Sequence, residues 1–197
     1  MTEGLSDTEL VAAFKGGDVE ALGALMERHK AALYGYLLRV TKRADAAEDI
    51  FQEVFLKLVH NPGAYGEREK FKAWLFTVAR NAAMDYFRRE SSRRALACAE
   101  GDAPVYGEEE APSRLDSAAS PEPGPQEALE NKQLGERIAA ALDKLSDDQR
   151  EIFHLRHYSE LSFKEIAEML GLPIGTVLAR MSRAAARLRE ELEKAAQ

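Results

Sequence analysis

One cysteine, Cys98, is all the thiol chemistry this chain has. A lone thiol excludes an internal disulfide and any metal site built on several cysteines, and by itself it is more often incidental than reactive. Long hydrophobic runs are missing as well. No stretch of eighteen apolar residues occurs, so no transmembrane helix is expected and no membrane insertion with it. The first ten residues, Met1 to Leu10, are polar and acidic. They lack the basic stretch and apolar core of a signal peptide, so the cytoplasm is the expected compartment. Enzyme signatures are absent too. The chain has no HExxH, no phosphate-cradling glycine loop and no nucleophile paired with a base. No catalytic residue and no cofactor are therefore expected. His154 and His157 lie three apart on a helical stretch and have the spacing of a metal-ligand pair. No third ligand accompanies them, so they read as surface histidines and no metal is expected.

What is present is a soluble globular balance, 45% hydrophobic and 31% charged residues. The net charge of −7 argues at first against a nucleic-acid partner. Its distribution reverses that inference. The segment 99–130 holds nine acids and one base, a charge of −8, which leaves +1 on the rest of the chain. Residues 71–94 have six bases and two acids, and residues 174–189 have four arginines and no acid. Two basic helical segments flanking an acidic stretch suggest two nucleic-acid contacts on one chain.

Helical periodicity runs through most of the sequence. Ser6 and Glu9 have capping-box spacing and open a short helix, which Gly16 and Gly17 break. Asp18 caps the next helix, whose apolar positions are Leu22, Leu25, Met26, Leu33, Tyr36, Leu37 and Val40. Asp45 is expected to cap a third, with Ala47, Ile50, Phe51, Val54, Phe55 and Leu58 on its buried face. Asn61-Pro62-Gly63 ends it. A loop to Lys70 precedes a long helix over 71–94, buried through Phe71, Trp74, Leu75, Val78, Ala82 and Tyr86. No alternating β pattern appears. From 95 to 126 the periodicity collapses, and five of the seven prolines fall there. Such a composition buries too little apolar surface to offset its ordering entropy, so it reads as a flexible acidic linker. Helix signals resume at Glu127, with Ser146/Gln149 and Ser162/Glu165 as further capping-box spacings. The expected fold class is all-α: two small helical domains, 1–94 and 127–197, joined by the linker 95–126.

Residues 163–182 carry the spacing of a helix-turn-helix. Ala167 lies four residues before Gly171, and Val177 six after. The small residue lets the second helix approach, the glycine takes the turn, and the later apolar residue packs inward. On the second helix Val177, Met181, Ala184, Leu188 and Leu192 share one face, and Thr176, Arg180, Arg183 and Arg187 another. A basic stripe without acids on the same turns suits the major groove and its phosphates. The bland alternative is a solvated amphipathic face.

Three stretches, AEDIFQEVFLKL (47–58), FKAWLFTVARNAAMDYFRRE (71–90) and LSFKEIAEMLGLPIGTVLARMSRAAARLREEL (161–192), together resemble the extracytoplasmic-function group of the sigma-70 family. The resemblance covers about 18–94 and 130–192. It implies a factor that binds core RNA polymerase and directs promoter-specific initiation, recognising minus-10 and minus-35 elements and helping to open the DNA. The first domain would then be region 2-like and the second region 4-like. The resemblance also assigns roles. Asp45, Glu48, Asp49 and Gln52 would meet the clamp coiled coil of the largest polymerase subunit, and the second domain its flap. Tyr65, Lys70, Arg80, Asn81, Arg88 and Arg89 would meet the minus-10 strand, Tyr65 as the aromatic of the loop that captures an unstacked base. Thr176, Ala179, Arg180, Arg183 and Arg187 would meet the minus-35 element. An anti-sigma protein is the further partner it implies.

Some alternatives stay open at this stage. The polar stripe is equally a solvated helix face on residues alone. The alternative for Asn81 is a helix-capping or core-bonded amide, and Trp74 reads as core rather than as a wedge. The linker's charge suits a polymerase channel or a solubilising spacer. Leu178 and Ala179 depart from the basic residue and serine that the family commonly has after Gly-Thr-Val. One phosphate contact and one hydroxyl contact are then missing. A plain helix-turn-helix regulator, with a sensor domain in place of the first half, is the competing function.

Overall fold

The computed structural model describes residues 4–66, 70–100 and 125–194. These residues are all-α, with no strand among them. Eight helices follow in order: α1 (Asp7–Lys15), α2 (Val19–Thr41), α3 (Ala44–His60), α4 (Phe71–Glu100), α5 (Pro125–Asp143), α6 (Asp147–His157), α7 (Phe163–Leu170) and α8 (Ile174–Lys194), with a 3₁₀ turn at Pro62–Ala64 after α3. The chain divides into two compact units. The first holds α1 to α4 and takes in the segment 157–161; the second holds the rest of α5 to α8. Residues 101–124, most of the predicted linker, lie outside the described residues.

Local chemistry sets the helix starts. The Ser6 hydroxyl accepts from the Glu9 N–H while the Glu9 carboxylate takes the Ser6 N–H, at 3.3 and 2.7 Å. Ser162 and Glu165 repeat the arrangement at 3.3 and 2.7 Å. Asp18 accepts from the Glu20 N–H at 3.0 Å. Each pair satisfies donors that the first turn leaves open. The third helix differs from expectation. Its N-cap is Arg43, with no side-chain cap bond. Asp45 sits inside the first turn, where it accepts from the Ala46 N–H at 2.8 Å and pairs with the Arg43 guanidinium. Lys42 ends α2 in the left-handed conformation at φ 56, and the chain re-enters helix at Ala44, which puts the cap at Arg43, two positions before Asp45. The long helix also outruns its predicted end at Arg94 by six residues. Ala95, Leu96, Ala97 and Ala99 favour helix, and the next proline after α4 begins comes only at 104.

In the first unit α3 buries Ala47, Ile50, Val54, Phe55 and Leu58, as its period demands. The long helix α4 is buried on more than the predicted stripe, since Phe76, Ala79 and Ala83 are core beside Phe71, Leu75 and Ala82. Phe76 meets Tyr36 edge-on at 5.5 Å. In the second unit Ala141 and Leu142 of α5, with Leu145 of the turn that follows it, pack on Ala184 and Leu188 of α8. The Arg150 guanidinium donates to the carbonyls of Leu142, Asp143 and Leu145, each at 3.1 Å. It thereby closes the C-terminal end of α5, where carbonyls lack helical partners and the dipole favours a cation.

His29 belongs to the first core. It is 5% exposed, its Nε2 lies 2.8 Å from an Asp7 carboxylate oxygen, and its ring lies 5.4 Å from Phe71. Burial pushes its pKa below the usual histidine value, with Asp7 opposing. Between that lowered value and the unfolded value of about 6.5 the unfolded chain holds a proton that the folded chain does not. Stability is therefore full above about pH 6.5 and falls as the pH drops below it. Thermal midpoints at pH 7.5 and 5.5 should show this loss, and His29→Gln should reduce it. Equal pH dependence in the two proteins would remove His29 as its source.

Candidate nucleic-acid interfaces

The helix-turn-helix forms as its spacing requires. Gly171 ends α7 in the left-handed conformation, φ 64, which glycine adopts without a Cβ penalty. The Leu172 N–H then reaches back to the Ala167 carbonyl at 3.0 Å, the closing bond of a Schellman turn. Ile166, Ala167 and Val177 are buried where the two helices meet. That packing fixes the outward face of α8. Ala179, Arg183 and Arg187 are exposed there, while Thr176 and Arg180 are half-buried. The stripe is not free of acids in space. Arg180 pairs with Asp148 of α6 at 2.7 Å, and Arg187 with Glu191 at 3.6 Å. Arg183 spends its Nε–H on the Ala179 carbonyl, 3.2 Å away in its own helix. Ile174 and Leu178 complete the exposed surface, 49% and 45% accessible.

The second basic surface lies on α4. Arg80, Asn81, Met84, Asp85 and Arg88 line an open groove of about 450 Å³. Asn81 is exposed, so the core-bonded reading of its amide fails. Arg88 pairs with Asp85 at 3.0 Å, and Arg89 approaches Glu53 of α3 at 3.8 Å. Lys70 is exposed at the foot of the helix, and its carbonyl accepts from the Trp74 N–H at 3.1 Å. Tyr65 does not join this surface. It is 2% exposed. Its ring meets Phe71 at 5.6 Å and Trp74 at 5.9 Å, and Lys15 binds both its ring face and its carbonyl oxygen. The loop's aromatic is a core residue rather than the exposed ring that base capture calls for. Sequence reasoning passed over Met84 and Phe87, 39% and 37% exposed. Their spacing from Arg80 places both on the basic face, and an apolar side chain in a basic stripe was the available signal.

The polar positions of α3 behave as one face. Asp45, Glu48, Asp49 and Gln52 are all exposed. Arg43 holds the Asp45 carboxyl below the usual carboxylate range through its hydrogen bonds. Leu56 and Val59, 53% and 43% exposed, continue the face by helical spacing. His154 and His157 do not form a surface pair, because His154 is 4% exposed and faces the core. Among the described residues no three His, Cys, Asp or Glu side chains gather as a metal would require. No helix there is long and apolar enough to cross a membrane.

Residues 25–93 match the family described as Sigma-70 region 2, and residues 135–188 match Sigma-70, region 4. The chain belongs to the extracytoplasmic-function group of the sigma-70 family. The sigma factor is 30% identical to the ECF RNA polymerase sigma factor SigW of Bacillus subtilis, over 90% of this chain and 92% of that one. It is 31% identical to SigL of Mycobacterium tuberculosis, over 93% and 96%. Its fold matches the sigma factor RpoE of Bartonella quintana, solved with the anti-sigma factor NepR. There the TM-score is 0.63 at 24% identity, covering 89% of this chain and 98% of that one. The sigma factor binds core RNA polymerase and directs promoter-specific transcription initiation; it is not an enzyme.

Proposed function

We propose how this sigma factor divides its task among its surfaces. The first domain, 1–94 with the remainder of α4, docks on the clamp coiled coil through Asp45, Glu48, Asp49 and Gln52. It takes the minus-10 strand on Lys70, Arg80, Asn81, Arg88 and Arg89. The exposed Phe87 and Met84 replace Tyr65 as the apolar surface against which an unstacked base rests. The second domain, 127–197, docks on the flap and takes the minus-35 element on Thr176, Ala179, Arg180, Arg183 and Arg187, with 95–126 as the tether. The work is done in the cytoplasm, where polymerase and chromosome are. An anti-sigma protein masks these surfaces, as NepR is bound to the RpoE that this fold resembles.

The observation that supports the reading is the outward face of α8: Arg183 and Arg187 exposed and Arg180 half-buried beside Asp148, presented by a complete helix-turn-helix. The competing reading, a regulator with a sensor domain in its first half, leaves the region 2 match over 25–93 without a purpose. The test is promoter binding by reconstituted holoenzyme at one stated salt concentration. Arg183→Ala should cost about 1–3 kcal/mol, as loss of a base contact does. Arg180→Ala should cost less, because Asp148 already holds that guanidinium and DNA must displace it. Unchanged binding by the double variant would remove this face from the promoter contact.

A further inference from the structure

The first turns of α8 carry two large apolar side chains that stay about half exposed, Ile174 at 49% and Leu178 at 45%. They are four residues apart and so neighbours on the helix surface. Gly175 and Ala179 each follow one of them, so the adjoining surface is low. A Cβ at Gly175 would meet no atom within 4 Å. Among the described residues nothing therefore calls for glycine at this position. Such a position suits a molecule that approaches the helix backbone closely. Arg183 and Arg189 of the same helix are exposed, while Arg180 and Arg187 share acids of their own unit; a surface of this basic character suits a polyanion, and the duplex is the polyanion that the proposed function lays against α8. The apolar feature that a DNA duplex offers in its major groove is the thymine 5-methyl group.

We propose that Leu178 is a specificity-determining residue that packs on the 5-methyl group of a thymine in the minus-35 element, with Ile174 supporting it. This rests on the placement of α8 in the major groove given above. It assigns a reading role to the position where the family's usual basic residue is missing. A phosphate contact, indifferent to sequence, gives way to an apolar contact that distinguishes thymine from cytosine.

The test uses the full chain bound to bacterial core RNA polymerase and a library of duplexes randomised upstream of the start site. The duplex that wild type enriches is then remade with deoxyuridine in place of each thymine in turn, which removes only the methyl group. One replacement should weaken wild-type binding about fourfold, the worth of one buried methyl-sized group. The same replacement should cost Leu178→Ala nothing. Leu178→Arg should also ignore the methyl group and steepen the logarithmic salt dependence by about one unit, as one added phosphate contact does. The substitutions lie on an exposed position, and unchanged helical circular dichroism verifies the fold. The proposal is overturned if no thymine responds, or if wild type and Leu178→Ala respond alike. Arg183→Ala separates the two levels. If it weakens binding while no methyl group matters, only the Leu178 assignment falls. If Arg183→Ala is also without effect, the placement of α8 falls with it.

Discussion

Asp49→Arg combined with Gln52→Ala is expected to abolish association with core RNA polymerase while leaving the fold unchanged. Both positions are exposed on α3, one turn apart on the side opposite Ile50, Val54 and Leu58. Neither substitution reaches the core, so helical content and thermal midpoint should hold. The surface nevertheless has the make-up of a contact face. Leu56 and Val59 stay 53% and 43% exposed beside the acids and the amide, and apolar side chains rimmed by polar ones mark an interface. Reversing a charge in a complementary interface costs several kcal/mol, a loss of more than about a hundredfold at 1.4 kcal/mol per factor of ten. Asp45→Ala should do less, since that carboxylate is already paired with Arg43. Comigration of the chain with core polymerase on a sizing column reads the result. A double variant that still comigrates would make the stripe solvated surface.

The parts of this fold that the sequence made legible are those governed by local spacing. Helix α3 buries the positions its period selects. Two of the three Ser/Glu or Ser/Gln pairs close as full capping boxes. At the third, the Gln149 side chain takes the Ser146 N–H at 3.3 Å. Gly171, Ala167 and Val177 fall where a helix-turn-helix needs them. Each of these depends on residues within about a dozen positions of one another, and periodicity reports that range well.

Features set by distant neighbours were hidden. Arg180 and Asp148 stand 32 positions apart and meet at 2.7 Å; the spacing of α8 alone shows an unopposed arginine. His29 reads as a polar residue on α2, and its burial follows from Asp7, 22 positions earlier, and from Phe71. The helix α4 is covered on more than one side, so Phe76 and Ala83 are core although they lie off its main stripe. A single amphipathic stripe is the signature of a helix packed on one face, and α4 is not such a helix.

Tyr65 shows the same lesson at its largest scale and gives the other strong prediction. A tyrosine between glycines in a polar loop reads as exposed, because loops carry no period from which burial can be read. The structure instead packs the 3₁₀ turn at Pro62–Ala64 against α1 and α3, with Tyr65 as the plug toward α4. Its ring lies against Phe71 and Trp74, and Lys15 of α1 donates to its carbonyl oxygen at 3.2 Å. Tyr65→Ala removes the centre of that cluster and should destabilise the first unit by about 3–5 kcal/mol, as truncation of a buried aromatic does. In a unit of this size that lowers the thermal midpoint by roughly 12 °C or more. Tyr65→Phe keeps the ring and should lose about 1 kcal/mol at most, the hydroxyl's share. A base-stacking residue behaves in the opposite way: its loss weakens promoter opening and leaves the melting temperature alone. Thermal unfolding of the two variants, run beside permanganate footprinting of the open complex, separates the cases. An unshifted Tyr65→Ala midpoint with a lost footprint would return Tyr65 to the DNA; a collapsed midpoint with normal opening by Tyr65→Phe would confirm that its ring holds α1, the turn and α4 together.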